Sequence, residues 1–364
     1  MKNSIETNGK VTVGADLGDK YSYLYMLDSA GECIEESRVK TTIEALIDRF
    51  SAMPPARVAL ETGTHSPWVS RLIASCGHEV IVANSRELRL IYKNPKKTDR
   101  IDAENLARTA RLDPKLLHPV KHRTAEIQND LSILRARACL VVSRTKLINH
   151  IRGAVKSIGG RLPSCYSSCF HKKAPESIPE VLQPVLQPIL EVIEKLTDRI
   201  HQYDKTIDKV LGAKYPVTET LKQVPGVGPL TALAFVLIIG DPRRFPNGRN
   251  VGPYLGLIPK KDQSGGQDPQ LHISKAGDGF LRQLLVGSAQ YILGPFASDT
   301  DLRRFGKEIA SRGGKNAKKR AVVAVARKLS VLLHRLWLTG EVYDPLRASK
   351  KKRRATAKPE SDQN

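Results

Sequence analysis

Strand-length apolar runs fill the first hundred residues, and their order dictates the kind of sheet they can build. Residues 11–17 (VTVGADL) read as a buried strand, Gly18-Asp19 as a turn, and residues 21–27 (YSYLYML) as a second strand. A further turn at Asp28 to Gly31 leads into a third strand over 33–39. Helical periodicity follows at 42–51, then a strand at 57–61 (RVALE), a helix over 66–76, a strand at 79–84 (EVIVAN) and a helix over 99–112. Hairpins come first and crossovers later, which requires a mixed sheet with helices packed on it.

A different texture begins near residue 120. Residues 124–156 are helical, with positions 131, 134, 138, 141, 145 and 148 spaced by alternating threes and fours. The break GGRLP at 159–163 and a polar, cysteine-containing loop come next. The following helix carries a heptad series: Leu186, Ile189, Ile193, Leu196, Ile200, Tyr203, Ile207 and Val210. Pro184 and Pro188 are expected to kink or delay it. Two long helices joined by a loop predict an antiparallel hairpin and a candidate subunit contact. Residues 214–345 are rich in glycine turns and close on a helix over 316–338. The segment 346–364 carries seven Lys/Arg between Arg347 and Lys358 and reads as a disordered basic tail. The expected organisation is therefore an α/β domain at 11–118, a helical coiled-coil region at 119–212, a mostly helical domain at 213–345 and the tail.

Charge narrows the partners. The 364 residues include 59 Lys/Arg against 37 Asp/Glu, a net +22, with a pI of about 9.8. Such an excess repels itself in a compact chain and is offset by a polyanion, of which nucleic acid is the leading one. An anionic membrane surface would call for a basic amphipathic helix with an apolar Trp/Phe/Leu face, and none is evident. The chain has no run of about 18 apolar residues and no signal-peptide pattern, so neither a membrane span nor secretion is expected. Five cysteines without framework spacing fit a reducing cytoplasm. Cys165, Cys169 and His171 lie close together but lack a second ligand pair at zinc spacing.

Four acids stand out by position. Asp16 ends the first strand and Glu61 the fourth. Asp99 and Asp102, three apart at the start of a helix, share a face one turn apart. Taken singly each has a structural explanation, since aspartate is common in turns and Asp99 suits a helix N-terminus. As a set they can converge at one sheet edge, as a ribonuclease H-like nuclease requires. Four carboxylates packed there could not all stay ionised without cations. Two Mg²⁺ or Mn²⁺ ions would neutralise them and clamp the attacking and leaving oxygens of a phosphodiester.

The segments GADLGDKYSYLYMLD, ALETGTHSPW, GHEVIVAN and KKTDRIDAENLAR resemble the RuvC-like N-terminal domain of the DEDD insertion-sequence transposases. The stretch YLGLIPKKDQSGGQDPQLHISKAGDGFLRQLLV, 254–286, is similar to that family's C-terminal transposase domain. The resemblance runs from about residue 11 to 345 and is weakest in the central helices. It implies that Asp16, Glu61, Asp99 and Asp102 are the catalytic, metal-binding acids. It also implies that Ser264, in the S-G-G turn, is a nucleophile that becomes covalently joined to DNA. On spacing alone Ser264 reads as an ordinary turn serine. Gln263 and Gln267 make this loop less basic than the family pattern. The resemblance further implies a bridge RNA that pairs with donor and target DNA.

Several positions are candidate nucleic-acid contacts. Gly226-Val227-Gly228, in QVPGVGPL, can leave backbone N–H groups at a helix start for a phosphate, or simply join two helices. Residues 121–161 hold nine Lys/Arg and two acids, including Arg135, Arg137, Arg144, Lys146, Arg152 and Lys156. Lys275, Arg282, Arg303, Arg304, Lys318, Lys319 and Arg320 add charge around the serine. These charges track a duplex without reading bases. With no zinc finger or persuasive helix-turn-helix, and only 5% aromatic residues, recognition by base pairing to an RNA fits. The expectation is a site-specific recombinase that moves its own element and acts as a dimer or tetramer. The alternatives are a hydrolytic nuclease of the Holliday-junction resolvase type, and a non-catalytic nucleic-acid-binding protein.

Overall fold

The computed structural model describes residues 11–87, 98–263, 266, 267, 269 and 271–350, and divides into two compact units, 1–125 and 126–364. The first unit holds a five-stranded sheet built from β1 (Thr12–Asp16), β2 (Tyr21–Leu27), β3 (Cys33–Lys40), β4 (Arg57–Glu61) and β5 (Glu79–Ala83). The strand order is β3-β2-β1-β4-β5. The hairpin strands β1, β2 and β3 pair antiparallel, and β4 and β5 run parallel to β1, so the sheet is mixed as its strand order requires. Expected and observed strand limits agree to within a residue or two.

Alternation assigns the two faces. Val13, Ala15, Val58, Leu60 and Val82 pack on one side with Leu46 and Phe50 of α1 (Ile43–Ser51) and Val69 and Ile73 of α2 (Ser66–Ser75). On the other side Ala59, Ile81 and Ala83 meet Leu106 and Ala110 of α3 (Asp99–Leu112), and Tyr25 and Leu27 meet Ala103 and Ala107. Thr98 caps α3, its hydroxyl accepting the Ile101 N–H. The helix lies almost on the backbone of β1. A Cβ placed on Gly14 would stand 1.9 Å from the Ala103 carbonyl oxygen and 2.6 Å from the Ala107 nitrogen. Only glycine permits that approach.

The second unit is helical. α4 (Ala125–Ser157) and α5 (Gln183–Thr206) form the expected hairpin. Pro184 sits in the first turn of α5, where its missing N–H is harmless, and Pro188 is carried inside the helix. The seam differs from the apolar series in one respect. Leu186, Ile193, Ile200 and Ile207 are buried as expected, but the alternate buried positions are Leu190 and Thr197, while Ile189, Leu196 and Tyr203 are half-buried. Val210, the last of that series, lies outside the described side chains. Polar pairing explains the shift. Thr197 accepts from the buried Arg144 at 3.2 Å, and Asp204, next in that register, takes Arg137 at 2.6 Å. The loop between the helices is less polar in its packing than in its composition, since Phe170, Ala174 and Ile178 form a small core with Ile151 and Leu190.

Farther along, α6 (Val217–Lys222), α8 (Gly279–Leu293), α9 (Asp301–Ser311) and α10 (Ala317–Thr339) share a core with α7 (Pro229–Ile239), whose residues Thr231 to Ile239 are all buried. Leu131 and Leu134 of α4 join that core. The start of the expected tail is held rather than loose. Residues 347–350 form a helical turn, fastened by Arg347 to Glu341, by Ser349 Oγ to Asp301 at 2.5 Å and by Lys350 to Asp344 at 3.0 Å. Residues 351–364 lie outside the described residues. Among the described residues no helix is long and apolar enough to cross a membrane.

Candidate functional site

The sheet's alternation and the direction of α3 bring four acids to one edge. In β1 and β4, Gly14 and Ala59 face α3, so Asp16 and Glu61, two residues farther along each strand, leave the same face. β1 and β4 are parallel neighbours, with Ala15 opposite Leu60. Asp16 and Glu61 therefore end adjacent strands about 4.8 Å apart. α3 runs back across them. Its last turn lies over the strand starts, where Arg57 Nη1 donates to the Ala110 carbonyl at 3.3 Å. Its first turn, with Asp99 and Asp102, lies at the strand ends. Asp102 heads the sheet-facing stripe Asp102, Ala103, Leu106, Ala107, Ala110 and is 3% exposed, whereas Asp99 faces outward. The positive end of the helix dipole favours both carboxylates.

Oxygen-only donors on one edge suit a hard divalent cation. Two carboxylates leaving the same face of adjacent strands reach a shared ion by rotation about their own side-chain bonds. Among the described residues, however, no three or more His, Cys, Asp or Glu side chains stand close enough to hold a metal. The backbone places the acids together, and the side chains are not gathered. The same holds for Cys165, Cys169 and His171.

The loops at this edge are braced. Thr62 N donates to the Ala83 carbonyl at 3.0 Å, and the Thr62 and Ser85 hydroxyls meet at 2.6 Å, tying the chain after Glu61 to the chain after β5. Ser66 bonds Gly63, and its hydroxyl lies 2.9 Å from His122 Nε2. Burial, and then the charges of Arg71 and Arg123, push the His122 imidazole below its usual range. The Trp68 indole donates to His65 Nδ1 at 3.2 Å, which leaves His65 Nε2 facing Asp19 at 3.4 Å. On the β2 side the Tyr23 phenol donates to Glu36, which is also gripped by Arg100. Arg100 and Tyr23 hold the Glu36 carboxyl well below the usual carboxylate range, at about 2. Sequence reading missed this network because its members are up to 64 residues apart. The Thr98 cap, by contrast, had a local signal in the T-D-R-I string.

In the second unit Ser264 lies outside the described residues. Its flanking chain is anchored: Lys260 N donates to His272 O at 2.9 Å and Ser274 N to Ile258 O at 2.8 Å, around an antiparallel bridge between Pro259 and Ile273. Beneath it Arg282 donates to the Leu255 and Ala276 carbonyls at 3.0 and 2.9 Å. Gly256, Lys275 and Gly277 all take positive φ there, and a Cβ on Gly277 would meet Tyr254 O at 1.9 Å. The turn at Gly226 (φ 85°) and Gly228, the residue before α7, borders a groove of about 900 Å³ with Arg137, Val142, Phe280 and Tyr291.

The basic candidates divide by residue type. Arginines hold the protein together: Arg135 bonds Asp278, Arg137 bonds Asp204, Arg144 bonds Thr197, Arg152 reaches the Pro163 carbonyl and Arg320 reaches Gly313 and Lys315. Arg303 takes the Ile292 and Gly294 carbonyls, and Arg304 the carboxylate of Asp299. Lys146, Lys156, Lys275, Lys318 and Lys319 are exposed.

Two family models match the chain. One, described as "Transposase" and drawn from the DEDD transposases, covers residues 13–159; the other, "Transposase IS116/IS110/IS902 family", covers 218–299. The chain is 28% identical to the "Transposase for insertion sequence element IS1111A" of Coxiella burnetii over 91% of its own length and 90% of that protein. It is also 28% identical to a "Probable family 20 transposase" of Pseudomonas aeruginosa, over 92% of this chain and 98% of the relative. A "Pilin gene-inverting protein" of Moraxella lacunata is 28% identical over 36% of this chain and 41% of its own.

Proposed function

Because the chain belongs to the insertion-sequence transposases described by those two models, we propose that it cuts and rejoins DNA at specific sites through the carboxylate edge of a ribonuclease H-like sheet and the hydroxyl of Ser264. What supports this reading is that Asp16 and Glu61 end adjacent parallel strands and that Asp99 and Asp102 stand in the first turn of the helix crossing them. Mg²⁺ or Mn²⁺ held by these acids would stabilise charge on the phosphate and on the departing oxygen. The residues themselves do the rest. β1, β4 and α3 carry the carboxylates from neighbouring backbone positions. The Ser264 Oγ forms a bond to phosphorus as one ester P–O bond of the strand breaks, and the freed sugar hydroxyl takes up the proton. Rejoining runs the same exchange with a new hydroxyl. The relative named as a gene-inverting protein favours this recombinase chemistry over simple hydrolysis.

Exposed lysines supply sequence-independent contacts to phosphate. Sequence recognition then falls to a bridge RNA paired with donor and target DNA, and the working unit is a dimer or tetramer in the cytoplasm. The test is cleavage of labelled donor DNA followed by denaturing electrophoresis. Asp102→Ala should bind DNA and cut none, and excess EDTA should stop the parent. Ser264→Ala should bind DNA and form no covalent adduct. Activity that persists in EDTA removes the metal-assisted reading. Cutting by Ser264→Ala without an adduct makes the protein a hydrolytic nuclease instead.

A further inference from the structure

We propose that Glu36 is a positioning residue for the acid edge: by joining Tyr23 of β2 to Arg100 in the first turn of α3, it fastens that turn and so the placement of Asp99 and Asp102 relative to Asp16. The inference rests on the reading of those acids as the metal-assisted cutting site. Tyr23 is the register partner of Asp16 on the neighbouring strand. Its phenol donates to Glu36 Oε2 at 2.9 Å. The same carboxylate takes Arg100 Nε at 2.7 Å and Nη2 at 2.6 Å, the forked geometry that fixes direction as well as distance. Arg100 also lies over the Tyr25 ring at 5.9 Å. It stands in sequence between Asp99 and Asp102.

Gly14 determines how closely α3 approaches β1, and the middle and last turns are held by the buried stripe Ala103, Leu106, Ala107 and Ala110, by Arg57 on the Ala110 carbonyl and by Arg111 on the Ser29 carbonyl. The first turn lies beyond those contacts, and the Glu36 fork fastens it one turn before Ala103. Without it, the first turn would be held less firmly and Asp99 and Asp102 with it. The network is exposed, with Arg100 at 50% and Glu36 at 30% side-chain exposure. Exposed ion pairs stabilise folds little. What this one contributes is geometry, since its far end is the strand neighbour of a candidate ligand.

The test uses the full chain and Mn²⁺ alone as probe. Mn²⁺ binding is measured by titration calorimetry without DNA, alongside the Mg²⁺ concentration for half-maximal cleavage, DNA affinity in EDTA and the melting temperature. Glu36→Gln and Arg100→Lys should each weaken Mn²⁺ binding about tenfold, the usual effect of losing an outer partner of a metal site, and raise the Mg²⁺ requirement to match. DNA affinity and melting temperature should stay at the parental values. Tyr23→Phe should show the same change, smaller. If Glu36→Gln melts well below the parent, Arg100→Lys carries the test, because it keeps the charge and gives up only the fork. Parental Mn²⁺ binding in both variants, with binding lost in Asp102→Ala, overturns the positioning role alone. Parental binding in Asp102→Ala shows instead that the acid-site reading has failed, and the proposal falls with it.

Discussion

In the N-terminal unit every candidate acid stands on a regular element, two at strand ends and two in the first turn of α3. In the C-terminal unit the candidate nucleophile lies outside the described residues, in sequence between two paired segments, Ile258–Lys260 and His272–Ser274. The same contrast governs charge. The backbone brings the first unit's four acids toward one end of the sheet, without gathering their side chains among the described residues. In the second unit the candidate arginines bond protein groups, several of them at the surface, and the candidate lysines are exposed. Regular elements fix a distance once sheet register is set, whereas the paired segments at 258–260 and 272–274 are fastened by Arg282 and by the glycines at 256 and 277. A guanidinium can satisfy two carbonyls at once, and a lysine ammonium is a flexible point charge, so this division follows from their chemistry.

The comparison breaks most visibly at Gly14. Gly14→Ala puts a methyl group 1.9 Å from a main-chain oxygen that no rotamer change can relieve. Overpacking of this kind costs about 1–3 kcal/mol or more. The first unit should melt several degrees lower in calorimetry and DNA cutting should be lost, with nucleic-acid binding by the second unit retained. A parental melting curve and parental cutting would mean that α3 does not lie on β1 as described. The next effect separates fastening from phosphate binding in the second unit. Arg282→Ala should lower the melting temperature and abolish adduct formation, because it releases the Leu255 and Ala276 carbonyls beside the paired segments that flank Ser264 in sequence. Lys318→Ala with Lys319→Ala should leave melting unchanged and make the slope of log K against log salt shallower by up to about 2, near 0.9 for each duplex phosphate that is no longer neutralised. Equal slopes would remove those lysines from the interface.

The smallest expected effect is a pH dependence in the first unit. His122 is half-buried against Ser66 with its proton affinity depressed, so the unfolded chain, titrating near 6.5, protonates first. Its contribution is fully present above about pH 6.5 and is lost as pH falls through the lower folded value. Urea unfolding at pH 7.5 and 5.5 should therefore show a loss of stability that His122→Gln reduces. An unchanged difference between the two pH values would assign the loss to other groups.

How far the sequence foretold this molecule differs between the same two regions. Strand limits and the edge position of Asp16 and Glu61 were legible because apolar runs and turn residues are local signals, and parallel pairing needs only their order. The buried side of α5 was half legible. Leu186, Ile193, Ile200 and Ile207 are apolar and buried, but Thr197 lies in the seam because Arg144 waits for it 53 residues away. A hydropathy pattern cannot anticipate a polar group buried by a distant partner. Residues 347–350 misled for the same reason: a basic, apolar-poor segment reads as unstructured until Asp301, Glu341 and Asp344 are seen to receive it. Glu36 gave no signal at all, since an exposed glutamate on an edge strand looks like any other.

The bare approach of α3 to Gly14 also insulates the site. Side chains on the opposite face of β1 and β4, Val13, Ala15, Val58 and Leu60, pack only toward α1 and α2. A change of size there is absorbed on that side, since no side chain at Gly14 passes it through to the helix. The approach of α3 to β1 is thus set by main-chain atoms, whose dimensions are the same in every protein, and the core behind it is free to vary in composition without altering how near the helix stands to that strand.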